Sequence, residues 1–321
     1  ALSFLPMLLL APVGGIIADR VNKRDVMVCL DFFTSALMLF YTLSFERLSL
    51  VPLLIAVLML LYGIQGAYQP AVQASVPVLT APENLMAGNG VINAVNSLAG
   101  VVGPVLGGVI FGFYGVKPIL IISVICFFLS AVMEIFIHIP FEKRQKQGGI
   151  FTVAIGDMKE SWSFVSRARP EILRVGLLLA VINMVFSALV IVGLPIVITR
   201  NLGFSLSAGN RLYGYAEGVL ATGGLLGGLL SGVVGTKLRV SRGARLILLC
   251  TATLLPMGLV LLLPVNGMAA YLVIVCACFA MMIFSAIFSI EMITYVQKIT
   301  PPTLTGKVMA LLTCLVMLGS P

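Results

Sequence analysis

The sequence predicts an all-α polytopic membrane protein. Of its 321 residues 60 % are apolar and only 10 % are charged, its mean hydropathy is +1.13, and its basic residues gather in alternate loops between apolar runs. A soluble domain carries about 25 % charged residues, and about 20 apolar residues make one helical span. The runs fall at roughly 1–18, 26–45, 51–77, 88–113, 117–139, 173–198, 211–235, 244–264, 268–297 and 307–321. That is about ten helices.

The first turn, Gly15-Ile-Ile-Ala18-Asp19-Arg20-Val-Asn22-Lys23-Arg24, sets one acid among three bases between two apolar runs. Placing it in the cytoplasm puts 16 of the 20 Lys and Arg residues on that side, leaving only Arg47, Lys117, Arg200 and Arg211 outside. Such asymmetry sets topology, and it assigns the +8 net charge to the membrane surface; no nucleic-acid partner is expected. All six cysteines fall in apolar runs. Cys276 and Cys278 have no His or acid nearby, so neither a metal site nor a disulfide is expected, and no cofactor beyond a proton or other cation gradient.

The turn resembles the loop signature of the major facilitator superfamily, Gly-x-x-Ala-Asp-Arg-x-Gly-Arg-Arg, with Asn22 in place of the second glycine. Asn enters the left-handed region at modest cost, so the turn is expected to survive the change. The resemblance implies two pseudo-repeated bundles of six helices, with the first helix, part of the eleventh and the twelfth lying outside this chain. It also implies a conformational latch in which Asp19 braces the turn against a helix of the other half and Gly15, Arg20, Lys23 and Arg24 support it.

The third and fourth runs carry polar stripes. Tyr62, Gln65, Gln69 and Gln73 recur at helical spacing, as do Asn89, Asn93 and Asn96. Amides in hydrocarbon need partners, so with Asn183 and Tyr213 these are candidates for lining a substrate cavity, or for interhelical hydrogen bonds. The fourth run also reads Gly90, Ala99, Gly103-Pro104 and Gly107-Gly108, which resembles the family's antiporter motif with Ala99 replacing a glycine. That motif implies export. Ala99, Gly103 and Gly107 share one face and are expected to admit a neighbouring helix closely. Tyr62 stands where the family often has an arginine.

Residues 140–172 form the longest polar interval and divide the chain into an N-terminal bundle (1–140), a cytoplasmic loop (141–172) and a C-terminal bundle (173–321). In the loop, Asp157-Met-Lys-Glu160 reads as a capping box, Met158, Trp162 and Val165 as the apolar stripe of an interfacial helix, and Pro170 as its end. The halves repeat: Gly15–Arg20 corresponds to Gly232–Lys237 and Gly103-Pro104 to Ser320-Pro321, both at an offset of 217, while Thr80–Pro82 corresponds to Thr300–Pro302 at 220. Thr236 stands where the first copy has Asp19.

Carboxylates inside apolar runs are expensive, about 2.5–3.5 kcal/mol at the centre of a span. Glu217 and Glu291 are therefore proton-coupling candidates, or structural hydrogen-bonding groups. Asp31 and Glu134 are further candidates, or partners of the basic loop beside them. The expectation is a monomeric exporter of amphipathic, drug- or macrolide-like small molecules, in the bacterial cytoplasmic (inner) membrane, driven by protons. The macrolide-efflux and siderophore-exporter branch is suggested by Arg-Pro-Glu-Ile-Leu at 169–173 and by Tyr295–Lys307. A non-transporting sensor or scaffold, and a carrier of one narrow metabolite, stay open. No arrangement of catalytic groups points to an enzyme.

Overall fold

A computed structural model describes residues 5–44, 50–140, 156, 159, 161–234 and 243–318. Every regular element among them is helical. In chain order these are α1 (Leu5–Arg20), α2 (Lys23–Ser44), α3 (Leu50–Leu79), α4 (Leu85–Tyr114), α5 (Val116–Ile135), a π turn (Phe164–Ala168), α6 (Pro170–Asn201), α7 (Leu206–Val234), α8 (Gly243–Leu262), α9 (Gly267–Ile299) and α10 (Thr305–Leu318). Each of the ten apolar runs thus has most of its described residues on a helix. Seven of these contain a stretch long and apolar enough to cross a membrane. Phe136 and Leu262 are 83 % and 84 % exposed, which is what a lipid-facing surface requires.

The helices form two compact units defined by contact, whereas the halves expected at 1–140 and 173–321 are divided by the polar interval of the sequence. The first unit holds α1–α3, α4 beyond Val105, α5, α6 as far as Leu178, and α9 and α10 from Gln297. The second holds α4 as far as Val105, α6 from Leu179, α7, α8 and α9 as far as Val296. In the first unit α1 packs against α3 and α10, and α2 against α5 and α3. In the second, Leu194, Ile198, Leu220, Met257 and Ile274 build a buried core across α6–α9.

Pairs of adjacent glycines position these helices. A Cβ added at Gly14 would strike Ala67 and sit 2.9 Å from the Gly66 carbonyl of α3, whereas one at Gly15 would sit 2.7 Å from the Gly306 carbonyl of α10. One doublet serves two neighbours, because successive residues on a helix point about 100° apart. The same logic governs α7. Gly223 and Gly227 lie against α9, at 2.9 Å from the Phe279 carbonyl and 2.8 Å from that of Ile283, while Gly224 and Gly228 face Ser97 and Ala94 of α4.

Several expectations change here. Nothing among the described residues lies within 4 Å of a Cβ built at Gly103 or Gly107, and Ala99 is exposed, so no described residue packs closely on this face. The tight approach of α4 falls instead at Gly90, whose Cβ would meet Ser231 and lie 2.5 Å from the Gly228 carbonyl. The stripe in the central loop divides, Val165 being buried and Trp162 54 % exposed. Its capping box, like the region of Thr236 and Lys237 and the Ser320-Pro321 repeat, falls outside the described residues. Pro170 starts α6 as well as closing the preceding turn: a helix tolerates proline in its first turn, and the residue before it, Arg169, is held out of the helical region at φ −138°, ψ 66°. Within α6, π turns at Ala188–Gly193 and Val197–Asn201 flank Leu194–Ile196, where Pro195 supplies no N–H to the helix ladder.

Gly66→Val should lower the melting temperature of the purified protein by several degrees, because a Cβ there would sit 2.7 Å from the Met7 carbonyl and overpacking costs about 1–3 kcal/mol. Gly103→Ala should leave it unchanged or raise it, since Ala is the better helix former by about 1 kcal/mol. Intrinsic-fluorescence melting reads both, and equal losses would refute the packing assignment.

Candidate functional site

The first turn is built as a joint between α1 and α10. Asp19 closes α1 just beyond its apolar run, and α10 begins at Thr305. The first N–H groups of a helix have no partner within it. Two of them point at Asp19: Gly306 N–H donates to Oδ1 at 2.7 Å and Lys307 N–H to Oδ2 at 3.0 Å. The carboxylate thus takes the place an anion takes at a helix N-terminus. The glycines permit this approach, since a Cβ at Gly306 would lie 2.6 Å from Asp19 Oδ1 and 2.8 Å from the Gly15 carbonyl.

Charge completes the joint. Lys23 and Lys307 are both buried, 7 % and 3 % exposed, and both act electrostatically on Asp19, itself 7 % exposed. A lysine in the first turn of a helix opposes the helix dipole, and Asp19 offsets it. Burial pushes the Asp19 carboxyl from its ordinary 3.8 up to about 6, against the lowering action of the Lys307 and Gly306 amides and of the two lysine charges.

Asn22 behaves differently from the expectation. Among the described residues none but glycine has a positive φ. Asn22 is the N-cap of α2, its Oδ1 accepting Arg24 N–H at 3.1 Å. Arg24 stands apart from the joint, paired with exposed Asp25 at 2.9 Å. Of the residues predicted for the latch, Gly15, Asp19 and Lys23 converge. Gly306 and Lys307 are the members that sequence reading missed, although Gly306-Lys307 stood within the segment singled out after Tyr295.

A helical bundle with an acid–base turn seated on a helix N-terminus can be set against known proteins. The family model described as Major Facilitator Superfamily matches residues 1–321. The chain belongs to that superfamily. It is similar to Macrolide efflux protein A of Enterococcus faecalis, 24 % identical over 97 % of this chain and 95 % of that one, and to the protein of the same name from Streptococcus pyogenes, 24 % identical over 97 % of this chain and 76 % of that one. Among solved structures, a bacterial homologue of the iron transporter ferroportin in an outward-facing state shares the fold at a TM-score of 0.74 and 17 % identity, over 99 % of this chain and 78 % of that one. The human organic anion transporter MFSD10 (TETRAN) does so at 0.73 and 21 %, over 99 % and 74 %. This superfamily member is a multi-pass membrane transporter, not an enzyme.

The remaining predicted residues disperse. Glu217 is exposed on α7, its Oε1 accepting the Tyr213 hydroxyl at 2.7 Å one turn away; the described residues do not enclose it. Glu291 is buried in α9. Asp31 and Glu134 are buried too, and they take hydrogen bonds from Ser130 and Tyr68 rather than from the basic loop. Asn89 donates to Thr294 Oγ1 of α9 at 2.9 Å in a buried interhelical bond. Asn93 accepts from Ser97 at 3.3 Å and Asn183 from Ser187 at 3.2 Å, each along its own helix. Gln65 and Asn96 are exposed, and Tyr62 and Gln69 half-buried. Gln73 accepts the Gln297 side chain on its backbone carbonyl at 3.0 Å. A separate apolar cavity of about 310 Å³ lies beside the π turns of α6, lined by Leu189, Gly193, Val197, Met257 and Ile274 among others; none of the predicted polar residues lines it.

The rise of the Asp19 pKa from 3.8 to about 6 corresponds to about 3 kcal/mol. The joint binds more protons when closed than when Asp19 is free in water, so this contribution is complete below pH 3.8 and is lost as pH rises through about 6. Hydrogen exchange at the Gly306 and Lys307 amides, corrected for intrinsic rate, should therefore show protection falling across that window. Asp19→Asn should remove the pH dependence and cut protection at least about fivefold, since it leaves one buried N–H without an acceptor, at about 1–3 kcal/mol. A pH-independent wild type would refute the linkage.

Proposed function

We propose that this transporter exports amphipathic, macrolide-like small molecules from the bacterial cytoplasm across the inner membrane, in exchange for protons. The observation that carries the reading is similarity along nearly the whole chain to proteins named for macrolide efflux. Export by alternating access of the halves 1–140 and 173–321 fits a joint that closes by hydrogen bonds from a helix end, because such bonds are made or lost as a set. Asp19 with Gly15, Lys23, Gly306 and Lys307 is the joint; Arg20 and Arg24 border it. Gly90 sets the approach of α4 to α7, and Gly103, Pro104, Gly107 and Gly108 occupy the outer part of α4.

Glu217 is the first coupling group in this reading. Its carboxylate is exposed and bonded to Tyr213, which suits a group that exchanges a proton with water in each cycle. The apolar cavity of about 310 Å³ is the size of a small-ligand site and suits the apolar part of a cargo. The transporter is proposed to act as a monomer, with a proton or cation gradient as its only requirement.

Everted vesicles containing the full-length parent protein test this. Energised vesicles should accumulate a macrolide or an amphipathic dye, an uncoupler should abolish the accumulation, and Glu217→Gln should reduce it at least tenfold. Uncoupler-sensitive accumulation that survives Glu217→Gln would move the coupling to another carboxyl. No accumulation across a broad panel of amphiphiles would replace this reading with a narrow-substrate carrier or a non-transporting member.

A further inference from the structure

Glu134 lies near the end of α5, 6 % exposed. Its Oε1 accepts the hydroxyl of Tyr68 on α3 at 2.7 Å. Its Oε2 is fully enclosed and has no hydrogen-bond partner among the described residues. Asp31 of α2, also 6 % exposed, lies within electrostatic reach of both Glu134 and Tyr68, and takes its own hydrogen bond from Ser130. Three packed helices of one unit thus bring two enclosed carboxyls and a phenol together.

An ionised carboxylate in this place would keep one oxygen without a donor in low dielectric, which costs several kcal/mol. A second carboxylate in reach makes joint ionisation worse still. Among the described residues the surrounding charges do not relieve it. On α2, Arg24 is paired with Asp25, and its Nη1 reaches no further than the Ile135 carbonyl, at 3.5 Å. Lys23 lies at the Asp19 joint, with Arg20 and Asp19 on α1; α3 contributes only Tyr68, and His138 beyond α5 is exposed. Adding H⁺ to Oε2 removes the charge and leaves the Tyr68 bond intact, because Oε1 becomes the carbonyl oxygen that still accepts it. Asp31, which has Ser130 as donor, is the member of the pair better able to stay ionised.

We propose that Glu134 is a proton-binding site of the first unit, holding one proton on Oε2 at neutral pH with Tyr68 fixing the carboxyl and Asp31 opposing its ionisation. The inference stands apart from the exporter reading, because its test is made on the resting protein without cargo.

Infrared difference spectroscopy on the purified full-length protein in lipid nanodiscs tests it. A protonated-carboxyl C=O band should be present at neutral pH, be lost on going to alkaline pH, and be missing in Glu134→Gln while persisting in Glu217→Gln. Tyr68→Phe should keep the band and shift it to higher frequency, as a carbonyl that has lost a hydrogen bond does; this arm remains readable if Glu134→Gln fails to fold. Absence of the band at neutral pH, its survival in Glu134→Gln, or an unshifted band in Tyr68→Phe would overturn the proposal. So would loss of the band on adding sodium at constant pH, which would make the ligand a metal cation.

Discussion

The contact on which the first unit depends is the seating of one carboxylate on one helix end. Asp19 Oδ1 and Oδ2 take the Gly306 and Lys307 amides at 2.7 and 3.0 Å, and this fixes how close α1 and α10 must run. Such closeness demands glycine on both sides, at 15 and 306, since neither backbone tolerates a Cβ there. It also dictates the charges nearby, because two buried lysines without the acid would repel each other and the positive end of α10. The signature is therefore less a loop than a list of what one helix terminus requires: an acceptor, room for it, and compensating charge.

The repeat shows why only one copy carries the acid. At the offset of 217 Gly15 corresponds to Gly232, and at the offset of 220 Lys307 corresponds to Ala87. Gly232 does face Ala87, its Cβ position lying 3.5 Å from the Ala87 Cα, whereas that of Gly15 lies 3.0 Å from the Lys307 Cα. The two contacts are copies of one arrangement at different closeness. In the second copy Met86 stands where Gly306 stands in the first, so a carboxylate there would meet a side chain instead of a bare amide. The acid and the glycine come as a pair or not at all.

Much of this was legible in the sequence because it rests on local rules. The described parts of the ten apolar runs are largely helical, and the acid–base turn located the joint. What escaped was the partner. Nothing in Thr305-Gly-Lys307 by itself says that its amides face Asp19 some 287 positions away, although a glycine and a lysine opening a helix were a visible oddity. Asn22 was read as a turn former and acts as a cap, because Asn satisfies either role and only the backbone decides. The close contact of α4 at Gly90 escaped for a similar reason: spacing reveals that Gly103 and Gly107 share a face, but not which glycine has a described helix opposite it. The doublets Gly14-Gly15, Gly223-Gly224 and Gly227-Gly228 were the better signal, since two adjacent glycines can serve two neighbours at once.

The carboxyls inside the helices show what burial alone does not reveal. Sequence singled out Glu217, Glu291, Asp31 and Glu134 because each interrupts an apolar run, and set Asp31 and Glu134 apart only as possible partners of the basic loop. Their surroundings separate them. Glu217 has Tyr213 at 2.7 Å and an exposed side; Glu134 has Tyr68 at the same distance and a closed one. The hydrogen bonds are alike, and the difference lies wholly in the second oxygen. A carboxylate needs donors on both, as Asp19 has, or a second oxygen left uncovered, as that of the exposed Glu217 is. Where neither is supplied, the inexpensive remedy is a proton, and that reasoning, rather than depth in the membrane, singles out Glu134.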